Sequence, residues 1–281
     1  MPTSRPFSQV DVFTDEPYRG NPVAVVHDAD GLTDAQMAAF ARWTNLSETT
    51  FLLRPTDPAA ADYRLRIFTP GGELPFAGHP TLGSCHAWLS GGGVPTDPDE
   101  VVQECAVGPV PLRRDGGRLQ FAAPPPLVDA PVDDATLRRS VAALGLPEEA
   151  VVDHRFLDNG PRWNVLLLDS AERVLALRPD WAALGAVHLG VVGPQPEGSG
   201  TTFELRGFAP AIGVPEDPVT GSLNAVDGQW LIGSGRAPER YVAAQGTALG
   251  RAGRVHVERD ADGTVWVGGA TVTCIQGTVR D

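Results

Sequence analysis

The sequence predicts a mixed fold of helices and strands built as two similar halves. Three features point to it: a degraded internal repeat, an alternation of β-prone and helical segments, and a proline-rich break near the middle. The repeat is the most specific of them. Arg66 to Leu89 reads RIFTPGGELPFAGHPTLGSCHAWL, and Arg206 to Leu231 reads RGFAPAIGVPEDPVTGSLNAVDGQWL. Arg66, Phe68, Pro70 and Pro75 return in the same spacing as Arg206, Phe208, Pro210 and Pro215. Pro80, Gly83 and Ser84 return as Pro218, Gly221 and Ser222 after a loop two residues shorter. This alignment sets His79 against Asp217, and an imidazole matched with a carboxylate suggests a site between two similar halves.

Taken in order, FSQVDVF at 7 to 13 alternates apolar and polar residues as a strand does, and VAVVH at 23 to 27 reads as a buried strand. From Leu32 to Asn45 a helical period runs through Leu32, Met37, Phe40 and Trp43, with Thr33 as N-cap. Glu48 follows in NLSETTFLL, where a helix gives way to a strand and a carboxylate can point into a cleft. ADYRLRIFTP is the next strand. Pro80 then opens a short helix with Leu82, Cys85 and Leu89 on its apolar face, stopped by Gly91 to Gly93, so that His79 sits where an N-cap would be.

Short strands follow from 100 to 122, and APPPLVDAPVD, Ala123 to Asp133, is the interdomain linker, since consecutive prolines cannot enter a sheet or a helix interior. The second half repeats the plan. It has a helix with Leu137, Val141 and Leu144 on one face, paired strands, a shorter helical segment from Arg173 to Gly185, and a helix at EDPVTGSLNAVDGQWLIG with Val219, Leu223, Val226 and Trp230 on one stripe. In EDP the Asp217-Pro218 pair matches the usual N-cap and N1 residues. The elements suit an α+β or an α/β domain. The expected domains are 1–122 and 123–267, with a strand at about 268–281 free to return to the first; periodicity does not decide which half that tail closes.

Composition removes several kinds of chemistry. The 281 residues carry a formal charge of −13, from 22 basic and 35 acidic side chains without a basic cluster, which opposes nucleic-acid binding. No run approaches the roughly 18 apolar residues of a membrane span, and MPTSRPFSQVDVF lacks the apolar stretch of a signal peptide, so a cytoplasmic protein without a membrane partner is expected. Every basic residue is Arg. Without Lys there is no Schiff base, pyridoxal-phosphate lysine, Walker A lysine or Ser-x-x-Lys pair. Cys85, Cys105 and Cys274 form no CxxC, and the six His show no HExxH, so neither a disulfide framework nor a metal site is expected.

The remaining chemistry is acid–base. Two helix starts facing one cleft would offer backbone N–H groups and positive dipole ends to a carboxylate on a small substrate, held by Ser222 and the backbone around Gly78, His79 and Gly221. An anion site next to proton-transferring groups suits deprotonation alpha to a carboxylate or at its vinylogous position. Glu48 is then the candidate base, with His79 and Asp217 to donate and orient.

VDVFTDEPYRGNPVAVV, NLSETTF, RIFTPGGELPFAGHPTLGS, RGFAPAIGVPEDPVTGS and AAQGTALGR together resemble the PhzF-like isomerases of phenazine biosynthesis, related in fold to diaminopimelate epimerase. The resemblance runs over nearly the full length. It implies an α+β protein of two pseudo-symmetric domains, each a β-barrel-like sheet around a central helix, with the active site between them, usually as a homodimer. It also implies a cofactor-independent proton shift on a small carboxylic acid such as trans-2,3-dihydro-3-hydroxyanthranilate. The motif residues are Glu48 of NxSET, Gly78 and His79 of AGHPT, and Asp217 and Ser222 of EDPxTGS. Amino-acid racemases of this fold use a cysteine at each helix start; Ala77-Gly78-His79 and Glu216-Asp217-Pro218 stand there instead, which favours a proton shift over the alternatives of an amino-acid or hydroxyproline epimerase or a non-catalytic binding protein. DNGPRWN at 158 to 164 departs from the usual pattern: Arg162 reads equally well as a ligand for a second carboxylate and as a side chain packed on Trp163.

Overall fold

A computed structural model describes residues 4–280, and these divide into two compact units. The first comprises the chain up to Ala122 and the segment from Gly268 onward; the second is Ala123–Val267. The first unit contains β1 (Ser4–Val12), β2 (Asn21–Val26), α1 (Asp34–Thr44), β3 (Thr49–Leu53), β4 (Tyr63–Thr69), β5 (Gly72–Leu74), α2 (Gly78–Ser90), β6 (Glu100–Cys105), β7 (Gly108–Asp115) and β8 (Arg118–Ala122). The second contains β9 (Val128–Ala130), α3 (Asp134–Ala143), β10 (Val151–Asp158), β11 (Arg162–Leu168), α4 (Ala171–Ala176), α5 (Trp181–Leu184), β12 (Leu189–Pro194), β13 (Phe203–Ala209), β14 (Val214–Asp217), α6 (Gly221–Gly233), β15 (Arg240–Gln245) and β16 (Gly253–Arg259), and the chain passes from it back to the first within β17 (Val265–Gly269). The last strand, β18 (Thr271–Arg280), lies in the first unit, antiparallel to β1.

The strand pairing repeats. In the first unit β2 runs parallel to β3, β3 antiparallel to β4, and β4 is flanked by antiparallel β5 and parallel β6, which turns back into β7. In the second, β11, β12, β13, β14, β15 and β16 follow the same sequence of parallel and antiparallel pairings. The fold is therefore α+β, a mixed sheet with one enclosed helix per unit.

Those helices explain the apolar content of the repeat. α2 packs against β1, β2, β3, β4, β6, β8 and β18, and every residue from Gly78 to Cys85 is buried. A helix surrounded by sheet has no polar face, so the single stripe read from Leu82, Cys85 and Leu89 understates its burial. Close approach needs a small residue. A Cβ on Gly83 would fall 2.3 Å from Val23 Cγ1 and 3.0 Å from Val12 Cγ2, both on fully buried valines. Gly83→Ala is expected to lower stability by about 1–3 kcal/mol, the usual cost of overpacking, measured by denaturant unfolding. In the second unit Val219, Leu223, Val226 and Trp230 are all buried, as the stripe predicts, and α6 meets β16 through Gly228 and Val257.

The repeated arginines form one device twice. Arg66 grips Glu73 through Nε and Nη2 at 2.7 and 2.6 Å and lies over Phe68; Arg206 grips Glu216 through the same atoms, both at 2.8 Å, and lies over Phe208. Bidentate geometry and stacking both require a guanidinium. The third nitrogen ties the sheet to a helix. In the first unit Arg66 Nη1 reaches Asp34 at the start of α1, and in the second Arg206 Nη1 donates to Val174 O and Leu177 O at the end of α4.

Four local expectations need correction. Thr33 does cap α1, in a capping box with Gln36, but Trp43 is 80% exposed and lies off the buried face carrying Met37 and Ala41. The helical segment expected from Arg173 to Gly185 is two short helices, because Pro179 cannot continue α4 and Asp180 caps α5. His79 is not an N-cap: Ala77 is, and His79 is the second residue of α2. Asp217 is not one either, since it ends β14 and Thr220 occupies the N-cap of α6.

Candidate active site

Glu48 is delivered by the end of α1. Asn45 takes the left-handed conformation (φ 55°) with its N–H on Ala41 O, which turns the chain out of the helix; Asn is among the few residues that tolerate this. Thr44 Oγ1 and Thr49 Oγ1, 2.9 Å apart, staple the loop, and Thr49 is locked in register between Ala24 and Phe68. Glu48 is thus pinned one residue before a central strand, its side chain 14% exposed. Burial pushes its carboxyl up to about 7, against the opposing effect of a hydrogen bond from Ser47.

His79 comes to it from α2. Its Nε2 lies 3.4 Å from Glu48 Oε2, an oxygen that no hydrogen bond satisfies, and its side chain is 6% exposed. On the other side of the ring Nδ1 is 3.4 Å from the side-chain nitrogen of Asn21, the first residue of β2. With that amide nitrogen donating, Nδ1 is the acceptor, and a singly protonated imidazole has its hydrogen on Nε2, on the side of the ring that faces Glu48. Gly78 is the first residue of α2, buried, and no side chain caps that helix start. The structure therefore brings Glu48, Gly78 and His79 together in the first unit.

In the second unit the candidates gather around the start of α6. The Thr220 hydroxyl donates to Asp217 Oδ2 at 2.6 Å, and Gly221 and Ser222 are the first two helical residues. Ser222 is held from both ends: Trp163 Nε1 donates to its hydroxyl oxygen at 3.1 Å and the Asn159 side chain to its carbonyl at 3.3 Å. An indole N–H only donates, so the Ser222 hydroxyl accepts from it and turns its own hydrogen elsewhere. Arg162 pairs with Asp158 at 3.2 Å and its side chain is 75% exposed, which separates it from the role of Trp163.

By position in the helix, Ser222 and not Asp217 is the counterpart of His79. Each is the second residue of its enclosed helix, whereas Asp217 ends β14 as Leu74 ends β5. The aligned prolines mislead here: Pro80 is inside α2 and Pro218 precedes α6. Asn21 and Gln245 are neighbours of the candidate residues that residue-by-residue reading passed over, although both stand within the recognised RGNP and AAQG segments; Trp163, read there only as a packing partner for Arg162, instead holds Ser222.

Cys85 and Cys105 are buried and placed for packing. Cys85 is fully buried in α2 and burial pushes its thiol up to about 12, far from the thiolate that a thiol-based epimerase requires.

Residues 10–277 match the family model described as phenazine biosynthesis-like protein, PhzC-PhzF. The chain is 37% identical to trans-2,3-dihydro-3-hydroxyanthranilate isomerase of Pseudomonas aeruginosa, over 90% of both chains. It is 39% identical to antisense-enhancing sequence 1 of Schizosaccharomyces pombe, over 98% of both. Among solved structures, a PhzF-family protein of Enterococcus faecalis superposes with a TM-score of 0.83 at 26% identity, covering 99% of each chain. With the family model spanning nearly its whole length and close relatives named as isomerases, this chain belongs to the PhzF family of phenazine biosynthesis-like isomerases.

Proposed function

We propose that this isomerase moves a proton, with a shift of a double bond, on a small carboxylic acid of the trans-2,3-dihydro-3-hydroxyanthranilate kind, and that Glu48 is the base. The observation that carries the reading is the Glu48 carboxyl, buried, pushed up to about 7 and set 3.4 Å from His79 Nε2. A group that ionises near neutrality can both take a proton from carbon and give it back, which is what a one-base shift asks of it. His79 stabilises the charge that Glu48 carries when ionised and orients it. Asp217 and Ser222 are assigned to handling of the substrate, with Ser222 and the start of α6 offering donors to a carboxylate. The reaction is redox-neutral, so acid, base and anion-binding groups suffice. The same reading has the enzyme working in the cytoplasm as a homodimer, on a small molecule and without nucleic-acid or membrane partners; no helix among the described residues is long and apolar enough to cross a membrane.

The substrate reading is tested by proton NMR of trans-2,3-dihydro-3-hydroxyanthranilate incubated with the enzyme in D2O. Rearrangement with the ring proton appearing at a new carbon, as proton or deuteron, is expected; an unchanged substrate spectrum counts against this substrate. His79→Ala and Asp217→Asn are each expected to lower kcat by about 10²–10⁴, the range for general acid–base groups, in steady-state assays of the folded variants.

A further inference from the structure

The hydrogen positions around the start of α6 follow from chemistry alone. Gln245 ends β15, is fully buried, and presents its side-chain amide to four groups. A backbone N–H can only donate, so the amide atom 3.0 Å from Thr220 N is the oxygen, which also accepts from Asn224 Nδ2 at 2.9 Å. The amide nitrogen is then the atom lying 2.9 Å from Thr220 Oγ1 and 3.3 Å from the main-chain carbonyl of Asp217, an acceptor that requires a donor. Asn224 fits the same assignment, since its Nδ2 also donates to Thr220 O at 2.9 Å.

One consequence concerns a single hydrogen. The Thr220 hydroxyl oxygen accepts from Gln245, so its own hydrogen goes to Asp217 Oδ2, 2.6 Å away. That distance belongs to the strong, charge-assisted class of O–H···O⁻ bonds. The space for this arrangement is reserved by Gly207, which faces Asp217 in register: a Cβ there would lie 2.8 Å from Thr220 Oγ1 and 3.4 Å from the Gln245 nitrogen.

We infer that Gln245 is a positioning residue of the isomerase, acting through the Thr220 hydroxyl to hold the Asp217 carboxylate in the orientation in which it meets the substrate. This rests on the assignment of Asp217 to the reaction made above. Gln245 touches no reacting atom; it fixes the direction of the hydroxyl that does touch Asp217. Its burial and four hydrogen bonds also make it part of the fold, so the test must separate orientation from stability.

Kinetics on trans-2,3-dihydro-3-hydroxyanthranilate provide the first arm, with folding of every variant checked by circular dichroism. Gln245→Met and Thr220→Val are each expected to lower kcat by about 10–100-fold, the size of effect seen when an outer partner of a functional group is removed, with KM little changed. Thr220→Ser restores what Thr220→Val loses. The double variant is expected to be no slower than the slower single one, because both residues act through one hydroxyl. Folded Gln245→Met with wild-type kcat, or losses that multiply in the double variant, would overturn the inference. Glu48→Gln, assayed in parallel, separates the two readings: its full activity removes the proposed base whatever Gln245 does, whereas its inactivity beside a fully active Gln245→Met removes the Gln245 inference alone. Neutron diffraction from the deuterated protein is the second arm and needs no substrate or variant. Deuterium on Thr220 Oγ1 directed at Asp217 Oδ2 is expected; deuterium directed at Gln245 overturns the inference, including in the case where the wild type leaves this substrate untouched.

Discussion

Glu48→Gln abolishes turnover while the protein stays folded, with kcat lowered by about 10⁴ or more, at or beyond the upper end of the general acid–base range. The substitution preserves shape and removes only the ability to bind and release a proton. Because Thr44, Asn45 and Thr49 hold the loop through hydrogen bonds that do not involve the Glu48 carboxyl, the position of residue 48 is retained. Steady-state assay of the purified variant, with circular dichroism as the folding control, checks it; activity within tenfold of wild type, about 1.4 kcal/mol in the barrier, would assign the base elsewhere.

The same variant is expected to be more stable than the wild type, by an amount that depends on pH. Glu48 ionises at about 7 in the folded protein against an ordinary value of 4.5. Below pH 4.5 the group is protonated in both the folded and unfolded chain and costs nothing. Between 4.5 and about 7 the unfolded chain releases the proton and the folded one keeps it, so stability falls as pH rises; above about 7 the cost is complete. At 1.36 kcal/mol per pKa unit it amounts to about 3 kcal/mol. Denaturant unfolding of Glu48→Gln and wild type at pH 4 and pH 8 should show near-equal stability at the first and the gain at the second. A residue whose removal kills activity and stabilises the fold is held there for function, the trade expected at catalytic positions. Equal stability at both pH values would mean that the carboxyl is solvated after all.

The elements that carry the candidate residues were partly legible in the sequence, for reasons that show where such reading ends. Glu48 was singled out by the acid–base argument and by the NxSET motif, and the helix-to-strand junction that carries it is built by local interactions: the left-handed Asn45 and the Thr44–Thr49 staple. Arg66 and Arg206 marked the repeat because a bidentate, stacked guanidinium admits no substitute. The helix starts were misplaced. Asp217-Pro218 has the composition of a cap, yet β14 pairs Asp217 with Gly207 and carries the chain three residues further before α6 begins at Gly221. Tertiary pairing won over local propensity there, and the matching of His79 with Asp217 gave way to that of His79 with Ser222. Trp43 shows the converse, a side chain in helical phase with Phe40 that nonetheless points to solvent.

The supporting residues were invisible for a different reason. Gln245 reaches Thr220 because β15 lies parallel to β13, and Trp163 reaches Ser222 from β11; neither proximity leaves a trace in spacing along the chain. Asn21 lies just before the strand read at 23 to 27, but it begins β2 and meets His79 across the unit. Only the alternation of donors and acceptors, seen once the strands are in place, gives these residues their meaning.

Titration of the Glu48 side-chain carbon by 13C NMR, assigned by difference from Glu48→Gln, measures most directly the property on which everything else depends. A midpoint near 7 is predicted, set by the enclosure of the carboxyl beside His79. A midpoint at the ordinary 4.5 would contradict the account, because a carboxylate that gives up its proton so readily has no means of carrying one from carbon to carbon at neutral pH.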